Sequence, residues 1–318
     1  AMAHATFRPE RQRGAAVVSA LLVVVLATTV VAGLFVRESV TVRSVENRLA
    51  LSQTRWIERA ALDWAKVILR ADARGTTASQ PVDHLGEPWA VPVAETRLDE
   101  TVTAGAKISD STRPAMVAGQ ILDAQARLNL NSLLRSGEVS RSHVDALRKL
   151  LQLLGLSGGL ADGVVARLLA STPRTVDGVV VPAAALPLVR ITDLQTVPGF
   201  DAAMVEMLAP FVVVLPRPTD VNLNTAPAEV IAAVFPTLDL AGARRFVARR
   251  ERTFFGQPTD AAAQIDGQPV LPPNMLSVGS SFFIVRGMVR FDRVEASSET
   301  LLERKGSESV EIVWQQRY

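Results

Sequence analysis

The chain has 318 residues, 48% of them hydrophobic and 21% charged, which suits an anchor plus about two compact units and excludes general disorder. A formal net charge of +2 provides no whole-molecule field that would recruit nucleic acid or acidic lipid. With no cysteine there is no disulfide framework, no thiolate zinc site and no cysteine nucleophile.

The first predicted element is a membrane span. Ala15 to Val36 (AAVVSALLVVVLATTVVAGLFV) is an uncharged run of 22 residues, against the roughly 20 that cross a bilayer as a helix. Arg8, Arg11 and Arg13 precede it, and positive residues flanking a span stay in the cytoplasm, so the chain from Arg37 onward is exported. A removable secretory signal is the alternative, but no small-x-small cleavage site follows the run and Gly33 alone does not end the helix.

From Arg37 to Arg74 there is no proline, and apolar residues recur at helical spacing: Val45, Leu49, Trp56, Ala60 and Trp64 on one stripe, with Ile57, Ala61 and Ile68 beside it. The span is therefore expected to run on into an amphipathic stalk, reaching about 84 Å if unbroken to Arg70. Such a stripe must pack on a domain or on partner helices. A break at the membrane surface is the other possibility.

Gly75 to Gln80 is turn-rich, Glu87 to Ile108 mixes prolines with short alternating runs, and Met116 to Leu130 reads as strand. Helical patterns then dominate: His143–Leu154, Leu160–Ala170, Asp201–Ala209, Ala228–Val234 and Ala241–Arg250. Strand character returns at Ser281–Phe291, Arg293–Leu302 and Ser309–Arg317. In the last run Val310, Ile312 and Trp314 are expected inward and Glu311 and Val313 outward, with a hairpin turn at Arg304 to Ser307. A helical unit thus interrupts a sheet domain that lies against the stalk.

Catalysis finds no support. His4, His84 and His143 are scattered, and neither a zinc-protease helix nor a serine-hydrolase elbow is present. Ile191–Phe200 (ITDLQTVPGF) and Val221–Val234 (VNLNTAPAEVIAAV) look like helix-hairpin-helix modules, which offer turn N–H groups to DNA phosphates. Only Gly199 is in place, however, Phe235 to Leu238 stands where a second glycine belongs, and Arg244, Arg245, Arg249 and Arg250 read as a solvated face. A membrane-anchored DNA-binding receptor is the alternative function. Hard-ion binding needs only loop oxygens, and Asp260 and Asp266 in the long loop Thr253–Val278, with Asp220 near the return from the helical unit, are the candidate calcium ligands. Solvated loop aspartates are the competing explanation.

Arg11-Gln12-Arg13-Gly14 directly before the apolar run resembles a prepilin leader, which implies cleavage after Gly14 and N-methylation of Ala15. Most members of that class carry glutamate at the fifth mature position, here Ser19. A carboxylate in the bilayer must pair, so a subunit with nothing above it can dispense with one. Together with Glu46–Arg70 (ENRLALSQTRWIERAALDWAKVILR), Leu85–Ala90 (LGEPWA), Asp123–Leu134 (DAQARLNLNSLL) and the two blocks at Ile191 and Val221, the chain resembles the K-type minor pseudopilins of type II secretion systems (general secretion pathway protein K).

That resemblance implies an α+β, type IV pilin-like fold, in which a long N-terminal helix packs on an antiparallel sheet carrying a large inserted all-α domain. The corresponding divisions are a leader at 1–14, a transmembrane helix at 15–36, a periplasmic stalk at 37–75, sheet segments at 76–130 and 253–318, and the insertion at 131–252. It further implies a non-enzymatic subunit of the bacterial inner membrane that initiates and caps a filament supporting export of folded proteins across the outer membrane. The implied partners are the I-type and J-type minor pseudopilins, other pseudopilins, the prepilin peptidase and the inner-membrane secretion platform, with no nucleic acid. Calcium is the implied ligand.

Overall fold

The computed structural model describes residues 13–75, 82–98, 115–176, 179–265 and 269–318. Its first helix, α1 (Arg13–Gly75), is a continuous helix of 63 residues, about 95 Å long at 1.5 Å per residue. The apolar segment has the length and composition to cross a membrane and is wholly unburied by the rest of the chain. Its hydroxyls are satisfied inside the helix: Ser19 donates to the Ala16 carbonyl at 3.0 Å, Thr28 to Val24 at 2.9 Å and Thr29 to Val25 at 2.7 Å. No side chain in the span therefore needs water.

Five strands, β1 (Val93–Arg97), β2 (Ala115–Asp123), β3 (Phe282–Phe291), β4 (Val294–Lys305) and β5 (Ser309–Arg317), form one antiparallel sheet in chain order. The helical unit is inserted between β2 and β3, which are hydrogen-bonded neighbours in unbroken register from Ala115 opposite Phe291 to Asp123 opposite Phe283. The insertion thus leaves the sheet intact. Asp292 takes a positive φ of 55° in the tight β3–β4 turn, as aspartate tolerates.

One face of the sheet packs on α1. Ala50, Ile57, Leu62, Ala65 and Leu69 are buried against Ile121, Phe283, Val289, Phe291 and Leu302, with Trp89 edge-on to Phe283 at 5.3 Å. Each large apolar side chain so buried contributes about 1.5–3 kcal/mol. Polar contacts fix the edge strand as well: the Glu58 carboxylate accepts from Gln315 at 2.6 Å and from Arg317 at 2.8 Å. The opposite face packs on the root of the insertion through Ala124, Val213, Leu215, Phe282, Ile284 and Leu301. The sheet is the middle layer between stalk and insertion.

The insertion comprises α2 (Arg141–Leu153), α3 (Leu160–Ala170), α4 (Ala202–Leu208), α5 (Ala228–Val234), α6 (Leu240–Arg250) and α7 (Pro258–Ala263) around one apolar core. Asp201 and Asp239 cap α4 and α6 through the Met204 and Gly242 N–H groups at 2.8 and 2.7 Å. Phe255, Ala261, Ile265, Met275 and Val278 join this core. The stretch from 253, expected to open the second sheet segment, therefore packs with the helices, and the sheet resumes only at Phe282.

Two finer expectations fail. Ile312 shares the face of Val310, opposite Leu302, yet is 45% exposed on the edge strand, and a bulge between Ile312 and Trp314 moves Trp314 to the other face, against the Leu301 cluster. Arg304 and Lys305 belong to β4, and the turn is made by Gly306 to Glu308, with Gly306 at φ 59°.

Candidate functional site: the stalk surface and the junction with the insertion

The sheet covers only one side of α1, and the sequence-predicted stripe lies on what remains. Val45, Leu49, Trp56 and Trp64 are 52–69% exposed and Ala60 is exposed as well. Ile57, immediately after Trp56, is buried. The two tryptophans do not share one surface: Trp56 lines a groove with Ile312, Gln315 and Arg317 on the β5 side, whereas Trp64 stands beside Val91 and Val93 on the β1 side. Large apolar side chains left in water along a helix are the pattern of a packing surface awaiting a partner.

Where stalk, sheet and insertion meet, charge is buried. The Arg304 guanidinium, 3% exposed, donates to Asp72 at the end of α1 at 2.7 Å and to both oxygens of the fully buried Asp83 at 2.6 and 2.7 Å, and lies over the Phe283 ring. Ser280 N–H adds a bond to Asp83 at 2.7 Å. Beside this pair, the Asp123 carboxylate accepts from Thr225, Ser280 and Asn222 at 2.5, 2.7 and 2.9 Å, and Asn222 also donates to the Asp83 carbonyl at 3.1 Å. Burial pushes Asp83 up to about 7, outweighing the Arg304 charge and the Ser280 N–H. Burial raises Asp123 too, against the opposing bonds from Thr225 and Ser280.

The Val221–Val234 block, which looked like a phosphate-binding turn, is a strut of this junction together with the Asp123–Leu134 block. Asn129, Asn131 and Asn224 donate to the carbonyls of Arg217, Leu215 and Phe255 at 2.8, 2.7 and 3.0 Å. Gly199 has φ 94°, and a Cβ there would stand 2.8 Å from Leu160, so packing accounts for the glycine. The expected solvated arginine face is corrected in part: Arg250 is buried and donates to Leu223 and Ala226 carbonyls at 2.7 and 2.6 Å, while Arg249 donates to Gln264. These two cations serve the α5–α7 packing.

The two described candidate metal ligands each have a partner of their own. Asp220 pairs with Arg135 at 2.5 Å, Asp260 accepts the Gln257 N–H at 3.1 Å at the start of α7, and Asp266 lies outside the described residues, as does His4. A different group, Asp72, Asp83 and Glu87, brings one carboxylate oxygen each within 4.8 Å of the others, a donor set suited to a divalent ion. Arg304 already neutralises two of the three, and Glu87 accepts the His84 N–H and the Trp89 indole N–H at 2.9 and 2.7 Å. Nothing in single-residue spacing announced this cluster. His84 stacks on Phe254 at 4.1 Å, and His143 is buried with its Nδ1 2.8 Å from the Ser140 hydroxyl, its pKa lowered to about 4 by burial and by Arg135.

Gly14 and Ala15 lie in the opening turn of α1. Two family models described as type II secretion system protein K match the chain, at residues 126–217 and 221–279, which covers most of the insertion. Type II secretion system protein K of Pseudomonas aeruginosa is 29% identical over 313 residues, spanning 92% of this chain and 90% of its own. The chain belongs to the protein K family of type II secretion systems. The protein K of Pectobacterium carotovorum subsp. carotovorum is 27% identical, with 96% of each chain covered, and that of Klebsiella pneumoniae is 27% identical with 93% and 94% covered. A chain in the crystal structure of the GspK-GspI-GspJ complex from the enterotoxigenic Escherichia coli type 2 secretion system has the same fold, with a TM-score of 0.65, 22% identity, and 86% of this chain and 99% of that one covered. As a protein K family member the chain is an assembly protein and not an enzyme. It is anchored in the inner membrane by α1, with its folded domain in the periplasm.

Proposed function

We propose that the protein is the minor pseudopilin at the tip of a type II secretion pseudopilus, joining I-type and J-type minor pseudopilins to initiate and cap the filament that supports export of folded proteins. The observation that carries this is the exposed apolar stripe of α1, Val45 to Trp64, on a stalk whose other side is already taken by its own sheet. Head-to-tail contacts between unlike surfaces build open filaments, and a subunit with a bulky insertion on the far side of the sheet gives one end a distinct cap. Ser19, bonded to its own helix, asks for no partner above it. The likeness to a chain of the solved three-protein complex supports the partner set.

Maturation follows from the same reading: the prepilin peptidase cuts after Gly14 and Ala15 becomes the methylated terminus, after which the inner-membrane platform lifts the subunit with other pseudopilins. Mass spectrometry of the chain purified from its membrane tests this. A methylated start at Ala15 is expected; an uncut leader, or a start beyond Gly33, overturns the assignment.

Calcium belongs to this reading as a ligand of oxygen donors in the loop holding Asp260 and Asp266, with Asp220 as the third candidate. Saturating calcium after chelation is expected to stabilise the chain by about 2.7 kcal/mol at a hundredfold excess over the dissociation constant. Loss of that shift in Asp260→Asn or Asp266→Asn would place the ion in the loop, and loss in Glu87→Gln would place it at the junction. An unchanged melting curve in chelator and in calcium removes the ion from the proposal.

A further inference from the structure

Between α1 and the sheet lies an apolar cavity of about 100 Å³. Its roof is the Ala65 and Ile68 side of the stalk, and its floor is a row of minimal side chains across three adjacent strands, Gly119, Gly287 and Ser298, which are direct register partners. Val285 and Val289 flank Gly287 on the same face and both line the cavity. Glycine within a strand weakens it and marks a bulge, a bend or a close approach by another group. Here the β2–β3 register is unbroken and neither glycine has a positive φ. At Gly119 an added Cβ would stand 3.1 Å from the Arg286 carbonyl, so the backbone itself asks for glycine. At Gly287 it would meet only the Ser298 hydroxyl at 3.8 Å, an ordinary contact. Nothing among the described residues requires Gly287, yet it keeps the cavity open.

An unfilled void costs stability in proportion to its volume. This one opens beside Trp64 and Val91, both more than half exposed, on the flank of the stalk away from Trp56. Trp64 is at once the lip of the cavity and the last residue of the exposed stripe, so the cavity is continuous with the surface assigned above to partner helices. An engineered cavity of about 150 Å³ lined by apolar groups accepts a benzene molecule, so this one, about two thirds that volume, takes a single aliphatic side chain of about leucine size.

We propose that a neighbouring minor pseudopilin docks its stalk helix along the β1 flank of α1 and plants one large apolar side chain in the cavity over Gly287, beside Trp64. This deepens the pseudopilin reading and rests on it: the stripe supplies area, and the cavity fixes axial register and choice of partner, as a buried anchor in a pocket does.

The absence of native cysteine makes a test by cross-linking direct. Full-length chain carrying Val91→Cys is co-expressed with I-type and J-type subunits bearing single cysteines along their stalks, with and without Gly287→Val, which fills the cavity from its floor. The expected result is a disulfide to one subunit at positions spaced three or four residues apart, lost in the Gly287→Val background together with about a tenfold fall in complex recovered, while the melting temperature of the chain alone is not lowered. If Gly287→Val unfolds the chain, Ser298→Val fills the same space from the next strand. Full recovery and unaltered cross-links in a folded cavity-filled variant overturn the anchor and leave the pseudopilin reading standing. Failure of the unsubstituted chain to recover either subunit overturns both.

Discussion

Arg304→Met is expected to destabilise the folded domain by about 3–5 kcal/mol at pH 8, because removing one partner of a buried pair strands the other without compensation. Asp83 has no solvent exposure and Asp72 little, and the substitution leaves both facing an apolar side chain. The cost should shrink at pH 5. The folded-state pKa of Asp83, about 7, lies above its unfolded value near 3.8, so the stability it confers is complete below about 4 and is lost as pH rises through 7. In the variant the missing guanidinium raises that carboxyl further, and at pH 5 it enters the folded state already neutral. His143 acts with the opposite sign: its folded pKa of about 4 lies below 6.5, so its contribution is present above 6.5 and is lost as pH falls towards 4. The two slopes offset each other between about 4 and 6.5 and leave Asp83 acting alone from there to 7. Urea unfolding at pH 5 and pH 8, followed through Trp89 beside the network, measures all of this. A variant equally destabilised at both pH values would show that Asp83 does not hold the proton.

What the sequence exposed and what it hid divide along chain distance. α1 was legible because its signals are local: an uncharged run, no proline, and a 3.6-residue stripe from Val45 to Trp64. Strand β3 was legible within one residue for the same reason, since Phe282 to Phe291 is a continuous β-forming run. The junction was hidden because Asp83 and Arg304 are 221 residues apart and neither stands in a recognisable motif. The block holding Asn222 and Thr225 resembles a phosphate-binding turn in sequence, but both side chains donate to the Asp123 carboxylate, 99 and 102 residues away. Periodicity also misled where geometry departs from the ideal. The edge position of β5 left Ile312 exposed and its bulge carried Trp314 to the other face, while the carbonyls of Leu223 and Ala226 drew Arg250 inward.

The stalk offers the sharpest separation of folding from assembly, since two consecutive residues should fail in opposite ways. Trp56 is 69% exposed and Ile57 is 9% exposed, against Ala115, Val289 and Phe291 of the sheet. Ile57→Ala removes buried volume between helix and sheet and is expected to cost about 2–5 kcal/mol of folding stability. Trp56→Ala removes an indole that the folded chain scarcely buries, so its melting curve should match the parent. If Trp56 is an anchor for a partner helix, the same substitution costs about 2 kcal/mol of association, or roughly thirtyfold in affinity for the other minor pseudopilins. Ala60, one turn further along the stripe and without a side chain to insert, marks where a neighbouring helix can approach closely, so Ala60→Trp should weaken association by overpacking without touching the fold. A Trp56→Ala chain that unfolds early would mean that the tryptophan belongs to the domain's own core. One that melts normally and still assembles with full affinity would remove the β5 flank from the interface and leave the Trp64 side of the stalk to hold the partner alone.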